Sequence, residues 1–586
     1  MLIESGTDLI AQDKNGDTPL HLALNGWGVN VARMLIEHGV DPTAQNKNGN
    51  TPLHLASKRG EVDVAHMLIE RGSDMTEQDN YGNTPLHLAS NEGKADVARM
   101  LIERGADLTA QDNDGNTPLH VALKGGRADV VRILIERGAD LTAQDNYGNT
   151  PLHLALKGGR VDVARMLIER GADLTAQDKY GNTPLHVASN GGEVDVARML
   201  IEHGTDLTAK DNHGNTPLHL ASSEGRAEVA RMLIERSADL TARGDYGNTP
   251  LHLALKAERA DLARMLIECG ADLTAHDNDA NTPLHLVLKG GREDVACMII
   301  EHGADMAAQD NYGSTPLHLA SYWGREDVAR VLIERSADLT AQDNCGRTPL
   351  HLASSGGEVG VACMLIEHGA NLTAQDNEGN TPLHFASNGG EVDVAYMLIE
   401  RGADLTAQDN YGNTPLHLAS NGGKEDVVRM LIQCGADPTA QDINGDTPLH
   451  LALNGGEVDI TRMLIERGAD LTAQDNDGNT PLHLASNGGE VDVARMLIER
   501  GADLTAENND RKTPLHLASA ALLWGEMSPQ EHGELVHMLL NHGANVYSQS
   551  NDGSTPFSLA SQHGHTKIAQ ILVQYGADSG AHKNAN

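Results

Sequence analysis

Apolar and polar positions along the chain repeat with a period of 33 residues. In the segment 150–182, apolar side chains concentrate at 152–155 and again at 163–168, and Gly158-Gly159 separates the two groups. The apolar residues of each group recur at a spacing that places them on the buried face of a short helix. Charged residues alternate with the second group and fall on its opposite face. The pattern therefore predicts a pair of amphipathic helices in every repeat.

Residues that favour helix ends stand at the borders of both apolar groups. The hydroxyl of Thr150 can cap a helix, and Pro151 suits the first helical position because its missing N–H has no helical partner there. Gly171 follows the second group and adopts cheaply the left-handed conformation that ends a helix. Turn-forming residues occupy the stretch up to Asn182. Each repeat is predicted as helix, turn, helix and a projecting tip.

The tetrapeptide Thr-Pro-Leu-His marks the extent of the array. It begins at Thr18 and recurs every 33 residues through Thr513, in sixteen copies, and a related Thr-Pro-Phe-Ser begins at Thr555. Repeats of this length bury their apolar faces only by stacking on neighbours. The predicted divisions are a partial repeat at 1–14, an array of 17 repeats at 15–578 with an insertion at 520–532 and a polar capping repeat at 551–578, and a disordered tail at 579–586.

The period, the T-P-L-H-x-A signature and the GADLTAQD segment between repeats resemble the ankyrin repeat over essentially the whole chain. The resemblance implies an all-α solenoid of helix-turn-helix repeats with projecting hairpin-like tips. It also implies that the tips and inner helices form a concave surface for protein partners. The histidines of the tetrapeptide, His21 through His516, are expected to hydrogen-bond near the helix start and to the neighbouring tip. The partner itself is not implied.

Charge narrows the classes of partner. The chain has 83 acidic and 44 basic residues, a formal net charge of -39. Nucleic acid and anionic membrane surfaces are disfavoured, because Lys and Arg provide the affinity for both. No apolar run of about 18 residues predicts membrane insertion. We expect a monomeric intracellular protein, located in the cytoplasm or alternatively in the nucleus. We expect its protein partners to carry a basic or mixed-charge patch.

Neither the cysteines nor the histidines predict a catalytic or metal site. Cys297 and Cys363 occupy the same helical position two repeats apart, about 16 to 20 Å at usual helix spacing, which is too far for a disulfide. Successive tetrapeptide histidines are also too distant to share a metal ion. The phosphate-loop, zinc-helix and nucleophile-elbow motifs are absent. We therefore expect free thiols, no cofactor, no metal and no enzymatic activity.

The candidate binding residues are aromatic side chains at positions that the repeat leaves variable. Tyrosine offers a large amphipathic contact at small entropic cost. It recurs three residues before the threonine of the tetrapeptide, at Tyr81, Tyr147, Tyr180, Tyr246, Tyr312 and Tyr411. Tyr322-Trp323 replaces the usual Asn-Gly between two helices and is a further candidate anchor. The alternative is that the tip rings pack on neighbouring tips or were copied with the repeat, and that Tyr322 and Trp323 pack on an adjacent repeat.

Two functions remain open at this stage. The first is a protein-binding scaffold, and the second is the sensing or recruiting array of a larger receptor or enzyme with an effector domain upstream. Some repeats are also predicted to be less stable, because Ser237 and Ser336 replace the helix-ending glycine, and Ala280 and Arg511 replace the tip glycine. Each replacement is expected to cost about 1 kcal/mol if the backbone stays left-handed.

Overall fold

The computed structural model describes residues 9–26, 28–520 and 529–577. The chain divides into two compact parts, an N-terminal half at 1–286 and a C-terminal half at 287–586. The predicted tail, most of the predicted insertion and the first eight residues of the predicted partial repeat lie outside the described residues.

The described residues form helices in pairs and no strands. The first helices of the repeats in the N-terminal half are α1 (Pro19–Asn25), α3 (Pro52–Arg59), α5 (Pro85–Glu92), α7 (Pro118–Gly125), α9 (Pro151–Lys157), α11 (Pro184–Gly191), α13 (Pro217–Glu224) and α15 (Pro250–Lys256). The second helices are α2 (Val29–Glu37), α4 (Val62–Glu70), α6 (Ala95–Glu103), α8 (Ala128–Glu136), α10 (Val161–Glu169), α12 (Val194–Glu202), α14 (Ala227–Glu235) and α16 (Ala260–Glu268). A short 3-10 turn spans Asp245–Gly247.

The helix α17 (Pro283–Gly290) contains the division between the halves. The C-terminal half continues with α18 (Glu293–Glu301), α19 (Pro316–Tyr322), α20 (Glu326–Glu334), α21 (Pro349–Gly356), α22 (Val359–Glu367), α23 (Pro382–Gly389), α24 (Val392–Glu400), α25 (Pro415–Asn421) and α26 (Glu425–Gln433). It ends with α27 (Pro448–Asn454), α28 (Val458–Glu466), α29 (Pro481–Gly488), α30 (Val491–Glu499), α31 (Pro514–Ala520), α32 (Pro529–Asn541), α33 (Pro556–Gln562) and α34 (Thr566–Gln574).

The first helices begin with a reciprocal cap between the threonine and histidine of the tetrapeptide, except in α33, where Ser558 replaces the histidine. In α9 the backbone N–H of His153 donates to the Thr150 hydroxyl, and the backbone N–H of Thr150 donates to Nδ1 of His153 at 3.3 Å. Pro151 occupies the first position, as predicted. The bond from the threonine N–H to the histidine ring recurs from Thr18 to Thr513. Two N–H groups that a helix start would leave unpaired are thus satisfied by the sequence motif itself.

The core lies between stacked helix pairs. Within the N-terminal half, α9 packs on α10 and on α11, and α10 packs on α12. Leu152, Ala155 and Leu167 are fully buried, as their positions in the apolar pattern predict. Leu154 departs from that pattern because it is only half-buried, while the polar His153 is completely enclosed. Helical periodicity identifies the two helices, but it does not distinguish these adjacent positions on a helix only seven residues long.

The predicted strained positions are confirmed. Ser237, Ala280, Ser336 and Arg511 all have positive φ, between 58° and 65°. Glu258 is a further case that the sequence reasoning missed, and it has a φ of 58°. Side chains with a Cβ rarely adopt this conformation, and each such residue costs roughly 1 kcal/mol relative to glycine.

Replacing Ser237 by glycine is expected to stabilise its repeat. At the equivalent position Gly171 has a φ of 79°, and an added Cβ would meet no atom within 4 Å. The cost of serine there is therefore conformational rather than steric. We expect Ser237→Gly to stabilise α14 by about 1 kcal/mol and Gly171→Ser to destabilise α10 by a similar amount. Native-state hydrogen exchange of these two helices measures both effects, and unchanged protection of α14 in Ser237→Gly contradicts the expectation.

Candidate functional site

Most tips are built around an aspartate, and Asp145 is one that is buried. At the tip 145–149, Oδ1 of Asp145 accepts hydrogen bonds from the backbone N–H groups of Tyr147 and Asn149, each at 2.9 Å. The side-chain amide of Asn149 also donates to the carboxylate of Asp145. Gly148 completes the turn with a φ of 73°. This network holds the backbone of Tyr147 while its ring projects outward.

Successive tips are joined to each other by hydrogen bonds. The backbone N–H of Asn146 donates to the carbonyl oxygen of Asp114 at 2.9 Å, and its side-chain amide donates to the carbonyl oxygen of Asn113 at 3.0 Å. The same two bonds link Asn113 to the carbonyl oxygens of Tyr81 and Asn80. Backbone bonds of this kind join successive tips from Asn15 to Asn212 in the N-terminal half, so equivalent side chains lie one repeat apart there.

The tetrapeptide histidines link each first helix to the next tip. Nδ1 of His153 accepts from Thr150, so Nε2 carries the proton and donates to the carbonyl oxygen of Asn182 at 2.9 Å. Burial lowers the pKa of His153, and the same cause lowers the pKa of His219 from 6.5 to about 4. The structural role expected of these histidines is confirmed.

Lysine side chains reinforce some junctions between repeats. Nζ of Lys157 lies 3.0 Å from Oδ2 of Asp178, the buried aspartate of the following tip. Burial opposes ionisation of Asp178, but the hydrogen bonds from Lys157 and from the backbone of Asn182 outweigh it, so the pKa of Asp178 is lowered. Lys124 and Asp145 form an equivalent pair at 3.1 Å.

The six tip tyrosines are exposed. The exposed fraction of these side chains ranges from 51% for Tyr147 to 72% for Tyr312. Nζ of Lys179 lies 4.2 Å from the ring centroid of Tyr147 and 5.2 Å from that of Tyr180. Lys179 thus holds an ammonium group close to two successive tip rings, a contact that sequence reasoning missed.

The repeats are also recognised by comparison with known families. A family model described as ankyrin repeats (3 copies) matches the overlapping segments 1–79, 39–112, 67–145, 108–178, 175–244, 210–277, 274–343, 337–409, 374–442, 416–508, 473–526 and 506–585. Together these segments cover almost the entire chain. The chain belongs to the ankyrin-repeat family. No curated protein matches it in a sequence search.

Membership of the ankyrin-repeat family confirms the predicted all-α solenoid of helix-turn-helix repeats. Ankyrin repeats are generally non-catalytic modules that mediate protein–protein interactions. In the described residues, no group of three or more His, Cys, Asp or Glu side chains is arranged to hold a metal ion. No helix within the same residues has the length and apolar character needed to cross a membrane.

The tip of the ankyrin repeat that carries Tyr246 differs from the others. Gly244 replaces the buried aspartate, so this tip lacks the carboxylate that accepts two backbone N–H groups elsewhere. The chain instead forms the 3-10 turn, in which Tyr246 has a φ of 53°. The backbone N–H of Asn278 still donates to the carbonyl oxygen of Tyr246 at 2.9 Å, so the link to the next tip is retained.

Tyr322 and Trp323 lie apart from the tip tyrosines. Tyr322 ends α19 and Trp323 follows it, whereas the tip residue Tyr312 precedes that helix. A helix of seven residues separates the two places by about 10 Å. The two rings contact each other edge to face, with centroids 4.9 Å apart, and their side chains are 46% and 48% exposed. They form a second exposed aromatic surface rather than part of the first.

Ile443 and Tyr396 are among the exposed large side chains that sequence reasoning did not select as candidates. Ile443 is 59% exposed on the tip that follows Tyr411, where most ankyrin repeats have asparagine. Tyr396 is 48% exposed on α24. Ile443 has a detectable sequence signal, because an apolar residue at a regular asparagine position is an exception. The five cysteines are free thiols, as predicted.

Proposed function

We propose that this ankyrin-repeat chain is a non-catalytic scaffold that binds partner proteins along its tips and first helices. The observation that carries the proposal is the recurrence of tyrosine at six tips, where each side chain is more than half exposed and the tip backbone is held by hydrogen bonds. Rigid, exposed tyrosines provide large contact areas with little loss of conformational entropy. The net charge of -39 favours partners with a basic or mixed-charge surface.

The proposal includes the oligomeric state and the cellular location of the chain. A monomer inside the cell, in the cytoplasm or the nucleus, suits a chain with five free cysteines, because reducing compartments preserve thiols. The proposed function needs no metal and no cofactor. The tetrapeptide histidines support this proposal, because their ring nitrogens already form hydrogen bonds within the fold.

Affinity capture of partners with matched variants tests the scaffold function. In one variant all six tip tyrosines are changed to alanine, and in the control only Tyr396, which is similarly exposed but lies on a second helix, is changed. We expect recovery of the captured partners to fall at least about tenfold in the first variant and to remain unchanged in the second. Circular dichroism confirms that both variants fold. Unchanged recovery with the six-tyrosine variant contradicts a binding role for the tips.

The second aromatic surface is tested separately. A variant with Tyr322→Ala and Trp323→Ala removes both rings without altering a tip. We expect it to lose a subset of the captured partners if the two rings anchor one of them. Identical partner recovery for this variant and the unchanged chain contradicts a binding role for Tyr322 and Trp323.

A further inference from the structure

The six tip rings fall into two groups by exposure. Tyr81, Tyr246 and Tyr312 are 69%, 69% and 72% exposed, and in each case the facing residue of the next tip is asparagine. Tyr147, Tyr180 and Tyr411 are 51% to 54% exposed. The first two of these lie beside Lys179, and the third is followed by Ile443 on the next tip. The first group therefore presents more open ring surface.

Lys179 shows what kind of group these rings accept. Its ammonium nitrogen is within about 6 Å of both ring centroids, the range in which a cation is attracted to an aromatic face. One cation can therefore contact the side chains at equivalent positions of two successive tips. At Tyr81 the corresponding residue is Asn113, whose side-chain amide instead donates to the carbonyl oxygen of Asn80. Among the described residues, Asn113 therefore stands at Tyr81 where Lys179 stands at Tyr147.

Two of the open rings are followed by a carboxylate at the equivalent position of the next tip. Asp114 follows Tyr81 and Asp279 follows Tyr246, and both aspartates are exposed. The tips in each pair are joined by a backbone hydrogen bond, from Asn113 to Tyr81 and from Asn278 to Tyr246. By analogy with the place of Lys179, a cation here would meet an aromatic face on one side and a carboxylate on the other. Tyr312 lacks this combination because Cys345 follows it.

We propose that the pairs Tyr81 with Asp114 and Tyr246 with Asp279 each bind one arginine or lysine side chain from a basic segment of the partner protein. This inference rests on the proposed scaffold function and identifies the chemistry of the partner. Arginine suits both halves of the site, because its guanidinium group stacks on aromatic rings and pairs with carboxylates. The strongly negative chain attracts such a segment before contact is made.

Titration calorimetry with synthetic peptides tests the inference directly. The probe is an arginine-rich peptide, and the matched control has citrulline in place of arginine, which keeps the shape and removes the charge. We expect the arginine peptide to bind and to weaken with added salt, and the citrulline peptide to bind at least about tenfold more weakly. Equal affinity for the two peptides overturns the proposal.

Substitutions then locate the sites. We expect Tyr81→Leu with Tyr246→Leu to weaken arginine-peptide binding about three- to tenfold, whereas phenylalanine at both positions retains it because the aromatic face remains. The control Tyr312→Leu removes an equally exposed ring that has no partner carboxylate, and its effect is expected to be smaller. Leucine variants that bind as tightly as the unchanged chain overturn the assignment.

A variant with increased affinity provides an independent test. We expect Lys179→Asn to tighten binding of the arginine peptide about two- to fivefold, because it opens the rings of Tyr147 and Tyr180 and removes a like charge. Weaker or unchanged binding overturns the proposed cation contact. If peptide binding fails while partner capture still depends on the six tyrosines, the cation sites are wrong and the scaffold function stands.

Discussion

Lowering the pH from 7 to 5 is expected to destabilise the array progressively, because the tetrapeptide histidines must stay neutral in the fold. Burial lowers the pKa of these histidines from His54 to His252 and from His318 to His516. The unfolded chain binds protons near pH 6.5 and the folded chain does not, so stability is complete above pH 6.5 and is lost below it. For His219, with a pKa of about 4, the full loss amounts to about 3 kcal/mol.

Chemical denaturation at pH 7, 6 and 5 measures this effect, and a urea midpoint that does not change over this range contradicts it. Surface carboxylates do not account for the loss. The hydrogen bonds from Thr109 lower the pKa of Asp107, so that carboxyl is protonated only at more acidic pH. The equivalent Asp140 behaves in the same way.

Asp446 provides a control, because its effect on stability changes with pH in the opposite direction to that of the histidines. It replaces the usual tip asparagine, and burial together with the charges of Asp442, Asp475 and Asp477 raises its pKa to about 6. Because its pKa is higher in the folded chain than in the unfolded chain, ionisation of Asp446 reduces stability as the pH rises through 6. We expect Asp446→Asn to stabilise the chain by about 1 kcal/mol at pH 7, after allowance for partial exposure, and to have no benefit below pH 4. A loss of stability at pH 7 contradicts this assignment.

The second large effect is expected at Val64, the third residue of α4. Val64 is fully buried, whereas Val31 at the same position of α2 is 52% exposed. The difference follows from stacking, because α4 packs on α2, and α2 has no earlier helix to pack on in the described part of the chain. We expect Val64→Ala to lower the free energy of unfolding by about 2 kcal/mol and Val31→Ala by less than about 0.5 kcal/mol.

Urea unfolding of the two variants under identical conditions measures the difference. Both substitutions remove the same atoms from the same helical position, so intrinsic helix propensity cancels in the comparison. Similar losses in the two variants contradict the assignment of the effect to packing between repeats.

Much of the candidate surface could be predicted, because the repeat separates positions required by the fold from variable ones. The six tyrosines stand at one variable position, and the structure places all six on exposed tips. Tyr322 and Trp323 were found in the same way, but their distance from the tips depends on the direction of α19. The contact of Lys179 with the rings of Tyr147 and Tyr180 could not be predicted, because it depends on side-chain conformations in two successive tips.

The sequence alone determined the helices and the residues at which they begin and end. Thr-Pro-Leu-His specifies a helix start through contacts within four residues, and Gly171 specifies a helix end through its own backbone conformation. These are local interactions, so they can be predicted from residues that are close in sequence. Tertiary structure decided which tip rings remain open and which carboxylates repel one another. Those properties arise between residues about one repeat apart, and only packing brings such residues within range of dispersion, charge and hydrogen bonding.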